Sequence, residues 1–75
     1  GMKGDVSLDK FLLDSKSTVG ELLSVGRKDV MKITREAEGD DKCPALVLSW
    51  INMSPTVERE WVALPLSVFM ELINE

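Results

Sequence analysis

Four basic side chains within residues 27–35 give this chain its clearest chemical capability. They stand against one acidic residue, Asp29, and they are Arg27, Lys28, Lys32 and Arg35. Lys and Arg neutralise phosphate oxygens, so such a cluster on a hairpin predicts contact with a nucleic-acid backbone. The alternative is a solvated hairpin, which is the usual fate of a short charge run. Both interpretations stay open at the level of sequence.

The basic cluster belongs to an otherwise acidic molecule. The 75 residues have a formal net charge of −4. Residues 1–35 contain seven Lys and Arg against five Asp and Glu, whereas residues 36–75 contain two against eight. Net charge alone therefore disfavours nucleic-acid binding, and the local arrangement of the basic residues carries the prediction.

Two tryptophans, Trp50 and Trp61, are the second set of candidate binding residues. We expect their strands to be neighbours, which would bring both rings near Lys32, Arg35 and Arg59. An exposed aromatic pair beside cations is a stacking platform for single-stranded nucleic acid. The alternative is packing in the core or in a dimer interface, where Trp supplies a large apolar area.

Catalytic chemistry is poorly represented in this composition. The chain has no histidine, which removes the usual nucleophile pairs, zinc sets and commonest general base. Cys43 follows Lys42, which could activate its thiol, but no base accompanies it. The acidic segment 36–41 lacks calcium-loop spacing, and the glycines fit no phosphate loop. We expect no enzyme, no cofactor, no metal and no small-molecule substrate.

The stretch 44–53 predicts how these residues are positioned. It reads as a strand that is apolar on both faces, with Leu46, Leu48 and Trp50 on one of them. Two apolar faces mean that each side of the sheet is covered. One cover can be the chain's own helix, and a second copy of the molecule can supply the other. The strand therefore predicts a homodimer.

The remaining elements complete an α+β fold: an antiparallel sheet of three or four strands followed by a C-terminal helix. We expect a short helix over residues 7–14, capped by Ser7. Residues 18–26 fit either a helix or, preferably, a strand that leads into a hairpin at residues 26–29. Strands follow over residues 30–38, 44–53 and 58–64. A helix then begins at Pro65 or Ser67, and its apolar stripe should pack on the sheet: Val68, Phe69, Leu72 and Ile73.

Length and composition set the broad class. Seventy-five residues make one domain, 1–75, with a marginal core. Gly1 before Met2 resembles the remnant of a cleaved tag, and residues 2–6 should be frayed. One cysteine, no leader and no apolar run of membrane-spanning length predict a cytoplasmic protein without a membrane partner.

Two segments carry a resemblance to a known family. Residues 30–36, Val-Met-Lys-Ile-Thr-Arg-Glu, look like the basic central strand of the positive cofactor four family of single-stranded-DNA-binding transcriptional coactivators. Residues 61–67, entering the helix over 68–73, look like that family's last strand and helix start. The resemblance covers about residues 19–74. It implies a dimer with a small curved antiparallel sheet, with Lys32 and Arg35 binding the nucleic acid and Arg27 and Lys28 supporting them.

We therefore predict a non-enzymatic, homodimeric module that binds single-stranded DNA or RNA, with a role in transcriptional regulation. The alternative is a protein-interaction or structural module without nucleic-acid binding. An exposed tryptophan among the basic residues favours the first function. Burial of both tryptophans, with scattered charges, favours the second.

Overall fold

The computed structural model describes residues 8–74 and contains three strands and two α-helices in that range. A 3-10 turn at Leu8–Lys10 leads into β1 (Phe11–Thr18), followed by α1 (Arg27–Gly39) and β2 (Cys43–Trp50). β3 (Glu60–Ala63) and α2 (Leu66–Ile73) complete the order. The α+β class, the three-stranded sheet and the C-terminal helix are confirmed.

The sheet has the order β1-β2-β3 and is mixed. β1 and β2 are parallel, with Phe11 opposite Cys43 and Thr18 opposite Trp50, whereas β2 and β3 are antiparallel. The prediction of a purely antiparallel sheet is therefore wrong. Parallel neighbours need a crossover connection, and α1 is that connection.

α1 replaces the predicted hairpin at residues 26–29 and the predicted strand at 30–38. Ile33 and Ala37, four residues apart, are the buried residues of this helix, with exposed fractions of 4% and 0%. That spacing is helical, and it places both side chains on the face toward the sheet. The first turn is secured by Asp29, whose Oδ2 accepts a hydrogen bond from the Gly26 N–H at 2.8 Å.

The C-terminus of α1 explains why the chain turns between residues 40 and 42. The Asp41 N–H donates to the Glu38 carbonyl, and the Lys42 N–H donates to the Ala37 carbonyl at 2.8 Å. This pair of bonds is a Schellman motif, in which the residue just after the C-cap adopts a left-handed backbone conformation. Asp41 occupies that position with φ of 54°, although Gly39 lies two residues before it.

The N-terminal half also differs from the prediction. Ser7, the predicted cap, lies outside the described residues, and Phe11–Thr18 forms a strand where a helix over 7–14 was expected. Half-buried residues recur at every second position from Leu12 to Thr18, which is the period of a strand. Residues 19–26 form neither the predicted strand nor a helix.

The two apolar faces of β2 differ in how far they are covered by the rest of the chain. The register places Leu12, Asp14 and Lys16 of β1 on the side of Leu46 and Leu48, and α1 packs on that side. Leu46 is 4% exposed there. On the other side Ala45 is buried, yet the flanking apolar residues of β1 and β3, Leu13 and Val62, remain exposed. One sheet face is thus covered by α1, rather than by the predicted C-terminal helix.

α2 does not pack as predicted. No residue of this helix is buried: Val68 and Leu72 are half-buried, whereas Phe69 and Ile73 are exposed. A groove of about 450 Å³ is lined by residues of α1, of β2 and of the segment 63–68. The C-terminal helix therefore adds little to the core formed by α1 and the sheet.

Candidate nucleic-acid interface

The helical geometry of α1 decides which basic residues act together. Lys28, Lys32 and Arg35 are spaced by four and three residues, so they form one stripe on the helix. All three are exposed, and the stripe lies opposite the face of Ile33 and Ala37. Arg27 is exposed at the first residue of the helix, about a quarter-turn away from Lys28. We name Lys28, Lys32 and Arg35 the basic stripe.

The tryptophans lie on the sheet, and they differ in exposure. Trp61 in β3 is 54% exposed, and its Nε1–H donates to the Glu58 carbonyl at 2.9 Å. Trp50, at the end of β2, is half-buried, and its backbone N–H donates to the Arg59 carbonyl at 3.1 Å. The hydrogen bond restrains the orientation of the exposed ring of Trp61.

The predicted site residues are thus divided between two surfaces. The prediction placed Lys32 and Arg35 on a strand of the same sheet as the tryptophans, but the structure places them on the outer side of α1. Trp61 follows two acidic residues and one basic residue in sequence, which are Glu58, Arg59 and Glu60. The structure brings three of the four cations together, and it confirms that the strands of the two tryptophans, β2 and β3, are neighbours.

A charged cluster that the sequence analysis did not identify lies near the C-terminal end of β1. Lys16 Nζ is 2.7 Å from Asp29 Oδ1 at the start of α1, and both side chains are about one-third exposed. Asp14 stands two residues before Lys16, so both project from the same face of the strand. We name Asp14, Lys16 and Asp29 the β1 cluster.

The electrostatics of the β1 cluster favour its charged forms. The hydrogen bond to Asp29 raises the pKa of Lys16, and the nearby negative charge of Asp14 acts in the same direction. The same bond from Lys16, followed by the bond from the Gly26 N–H, lowers the pKa of Asp29. The ammonium of Lys16 and the carboxylate of Asp29 therefore stabilise each other in their charged forms.

A sequence signal for this cluster existed. Asp14 and Lys16 are separated by one residue, which places a carboxylate and an ammonium side by side only if the segment is a strand. The predicted helix over residues 7–14 ended at Asp14, so Asp14 and Lys16 were not assigned to one face.

Other candidate groups remain separate. Cys43 is a free, half-buried thiol at the first residue of β2. Asp40 and Asp41 are exposed in the turn after α1. Within residues 8–74, no set of three or more acidic or cysteine side chains is placed to hold a metal ion, and no helix has the length and apolarity needed to cross a membrane.

Comparisons with known proteins assign no relatives. No protein-family model, no curated protein and no solved structure matches this chain. The features of the molecule that bear on function are the basic stripe, the exposed ring of Trp61 and the β1 cluster.

Proposed function

We propose that this chain is a nucleic-acid-binding module in which the basic stripe of α1 contacts the phosphate backbone. The observation that carries the proposal is the alignment of Lys28, Lys32 and Arg35 on one exposed helix face. A helix presents such residues about 5–6 Å apart, and phosphates of a strand can be neutralised along that line. The acidic residues of the C-terminal half keep the rest of the surface from binding polyanions without selectivity.

The exposed ring of Trp61 is the reason to expect that the protein prefers single-stranded over double-stranded nucleic acid. An exposed ring fixed by a hydrogen bond can stack on an unpaired base, whereas bases in a duplex are already stacked on one another. Trp50 is half-buried and supports the sheet, so its proposed role in stacking is smaller. Cys43, as a free thiol, supports a cytoplasmic location, where thiols stay reduced. Transcriptional regulation is the cellular role that the sequence resemblance suggests.

The test is a titration of a labelled single-stranded oligonucleotide, followed by fluorescence anisotropy at several salt concentrations. Three phosphate contacts should give a slope of about −2 in log K against log salt, at about −0.7 per contact for single strands. The double variant Lys32→Glu/Arg35→Glu replaces two of the three cations by carboxylates. Its slope should be only about −0.7, and it should bind more weakly at every salt concentration.

The matched control is Lys10→Glu/Lys42→Glu, which changes the net charge equally at exposed positions outside the stripe. This control should keep the wild-type slope. Equal loss of binding in both double variants would show that only net charge matters. Absence of binding at low salt would remove the proposal.

A second candidate function, metal-assisted hydrolysis of a phosphodiester, is favoured by the β1 cluster. Mg²⁺ is commonly held by one or two carboxylates together with substrate phosphates, and Asp14 supplies one carboxylate, whereas both oxygens of Asp29 already contact Lys16 and the Gly26 N–H. Lys16 could stabilise the charge that develops on the phosphate as water attacks phosphorus and the ester P–O bond breaks.

This second function has its own assay. Wild-type protein should cleave single-stranded or supercoiled DNA in Mg²⁺ and not in a chelator, and Lys16→Ala or Asp14→Asn should reduce the rate by about 100-fold or more. Asp40→Asn, at an exposed position after α1, is the control and should keep full activity. Circular dichroism checks that each variant is folded. Cleavage that survives both substitutions would assign the activity to a contaminant.

A further inference from the structure

The outer side of β1 is an open edge of the sheet. In the part of the chain that the structure describes, this strand has one neighbouring strand, which is β2. The Thr18 carbonyl accepts a hydrogen bond from the Ile51 N–H at 2.9 Å, so Thr18 turns its backbone groups toward β2. Because successive strand residues alternate in this direction, the N–H and carbonyl groups of Leu13, Ser15 and Ser17 point outward. Such a row of groups can form hydrogen bonds with another strand.

The described residues leave room for a strand beside this edge. α1 packs mainly on β2 and less on β1, so the helix lies nearer the middle of the sheet than its β1 edge. A cleft of about 290 Å³ is lined by residues 15–18 of β1 and by residues 22–24 of the connection to α1. Leu13, Ser15 and Ser17 are all exposed. Another strand can therefore approach β1 along its length.

We propose that β1 pairs antiparallel with β1 of a second copy of this chain, about a twofold axis at Ser15. This register places Asp14 of each protomer directly opposite Lys16 of the other. Opposite charges at facing positions attract, and Asp14 and Lys16 form the non-hydrogen-bonded pairs, whose side chains are closer. Moving the axis by one residue would set the two Asp14 or the two Lys16 side chains against each other, which is destabilising. The charges of β1 are therefore complementary to themselves in the register centred on Ser15.

This complementarity singles out a second copy as the partner. Every copy carries the carboxylate and the ammonium at the spacing that the pairing needs, whereas an unrelated strand would have to match both. Lys16 Nζ is 2.7 Å from Asp29 Oδ1 of its own chain, and an ammonium has three N–H donors, so donors remain for the partner's Asp14. The pairing joins two three-stranded sheets through identical edges, as a twofold axis requires. The inference does not depend on the proposed function.

Sedimentation equilibrium of the full chain over a wide concentration range measures the association. Wild-type protein should show twice the mass of 8.3 kDa. Asp14→Lys and Lys16→Glu each place like charges opposite one another, and each should weaken association by about 10-fold or more. An equimolar mixture of these two variants should recover the dimer, because every facing pair in the mixed dimer is of opposite charge. Asp40→Lys, at an exposed position after α1, makes the same charge change as Asp14→Lys and should leave the dimer intact.

A covalent readout keeps the test decisive if Lys16→Glu does not fold without its ion pair to Asp29. In a Cys43→Ser background, Ser15→Cys should form a disulfide-linked dimer on mild oxidation, because the Cα atoms of a hydrogen-bonded pair lie about 5.5 Å apart. Ser17→Cys, which is also at an exposed position, should not, because it lies about 13 Å along the strand from its own copy. A monomeric wild-type protein, a mixture no more dimeric than its components, or equal cross-linking at both positions would each overturn the proposal.

Discussion

Truncation of Ile33 to alanine tests the packing of α1, which positions both the basic stripe and Asp29. Ile33 is 4% exposed and contributes one of four buried hydrophobic residues among those described. Ile→Ala costs about 2–5 kcal/mol in protein cores. We expect the lower part of this range, about 2–3 kcal/mol, because Ile33 borders the groove beside α1 and its surroundings can relax.

That loss is large for a chain of this size. Seventy-five residues correspond to a total stability of roughly 4–11 kcal/mol at typical values per residue. A loss of about 2–3 kcal/mol should lower the midpoint of thermal unfolding by about 10–20 °C. Urea unfolding followed by circular dichroism measures the change, and an unaltered m-value shows that the unfolded states are comparable.

The matched control is Met31→Ala, two residues earlier on the same helix. Met31 is 45% exposed, and alanine is the best helix former, so its truncation should change stability by no more than about 0.5 kcal/mol. A strand over residues 30–38 would place Met31 and Ile33 on one face and make both truncations costly. Equal losses in the two variants would therefore refute the helical packing described for α1.

Three further predictions address charge, backbone conformation and stacking. The lowered pKa of Asp29 means that its contribution to stability is present above the ordinary value of 3.8 and is lost as the pH falls through the folded value. Asp29→Asn should therefore be less stable than wild type at neutral pH, and the difference should shrink in acid; a constant difference across a pH series of unfolding curves would contradict this. Asp41→Gly should raise the free energy of unfolding by up to about 1 kcal/mol, because Asp41 has a φ of 54° and glycine adopts this left-handed conformation without a steric penalty. Asp40→Gly, at a φ of −102°, should give no such gain. Urea unfolding measures both variants, and an equal gain would contradict this explanation. Trp61→Phe should abolish most of the tryptophan fluorescence quenching caused by a bound oligonucleotide, because Trp61 is the exposed ring. Trp50→Phe should leave the quenching unchanged. The reverse result would show that the base stacks on Trp50 and would contradict the prediction.

The C-terminal half was the more predictable part of the fold. β2 was identified from a continuous apolar run, and Pro65 marked the start of the last helix. Both signals are local and strong. What they could not reveal is which face of α2 meets the sheet, since that helix is apolar around most of its circumference.

The segment 30–38 shows why periodicity can mislead. Apolar and polar residues alternate from Met31 to Thr34, and residues 30–34 include three β-branched side chains, which favour strands. The same segment carries the helical pair Ile33 and Ala37. The cap from Asp29 and the crossover between parallel strands favour the helix, and the second of these is a tertiary requirement that local patterns do not contain.

The candidate site was predictable in its residues and not in its geometry. The basic cluster was evident from composition, but its division into a three-residue stripe and a separate Arg27 follows only from the helical period. The β1 cluster depends on a strand and a helix that meet through Lys16 and Asp29. Correct assignment of both elements was needed before that pairing could be expected.

The parallel pairing of β1 with β2 has a consequence for the order of folding. Every partner in that pair is separated by about 30 residues along the chain, whereas α1 and the β2–β3 hairpin form from closer neighbours. Loop-closure entropy delays such distant contacts, so β1 should join the sheet after α1 and the hairpin have formed. Pulse-labelling hydrogen exchange should show late protection of the β1 amides. The ion pair between Lys16 and Asp29 would then be one of the last contacts to form, and it would join β1 to the first turn of α1.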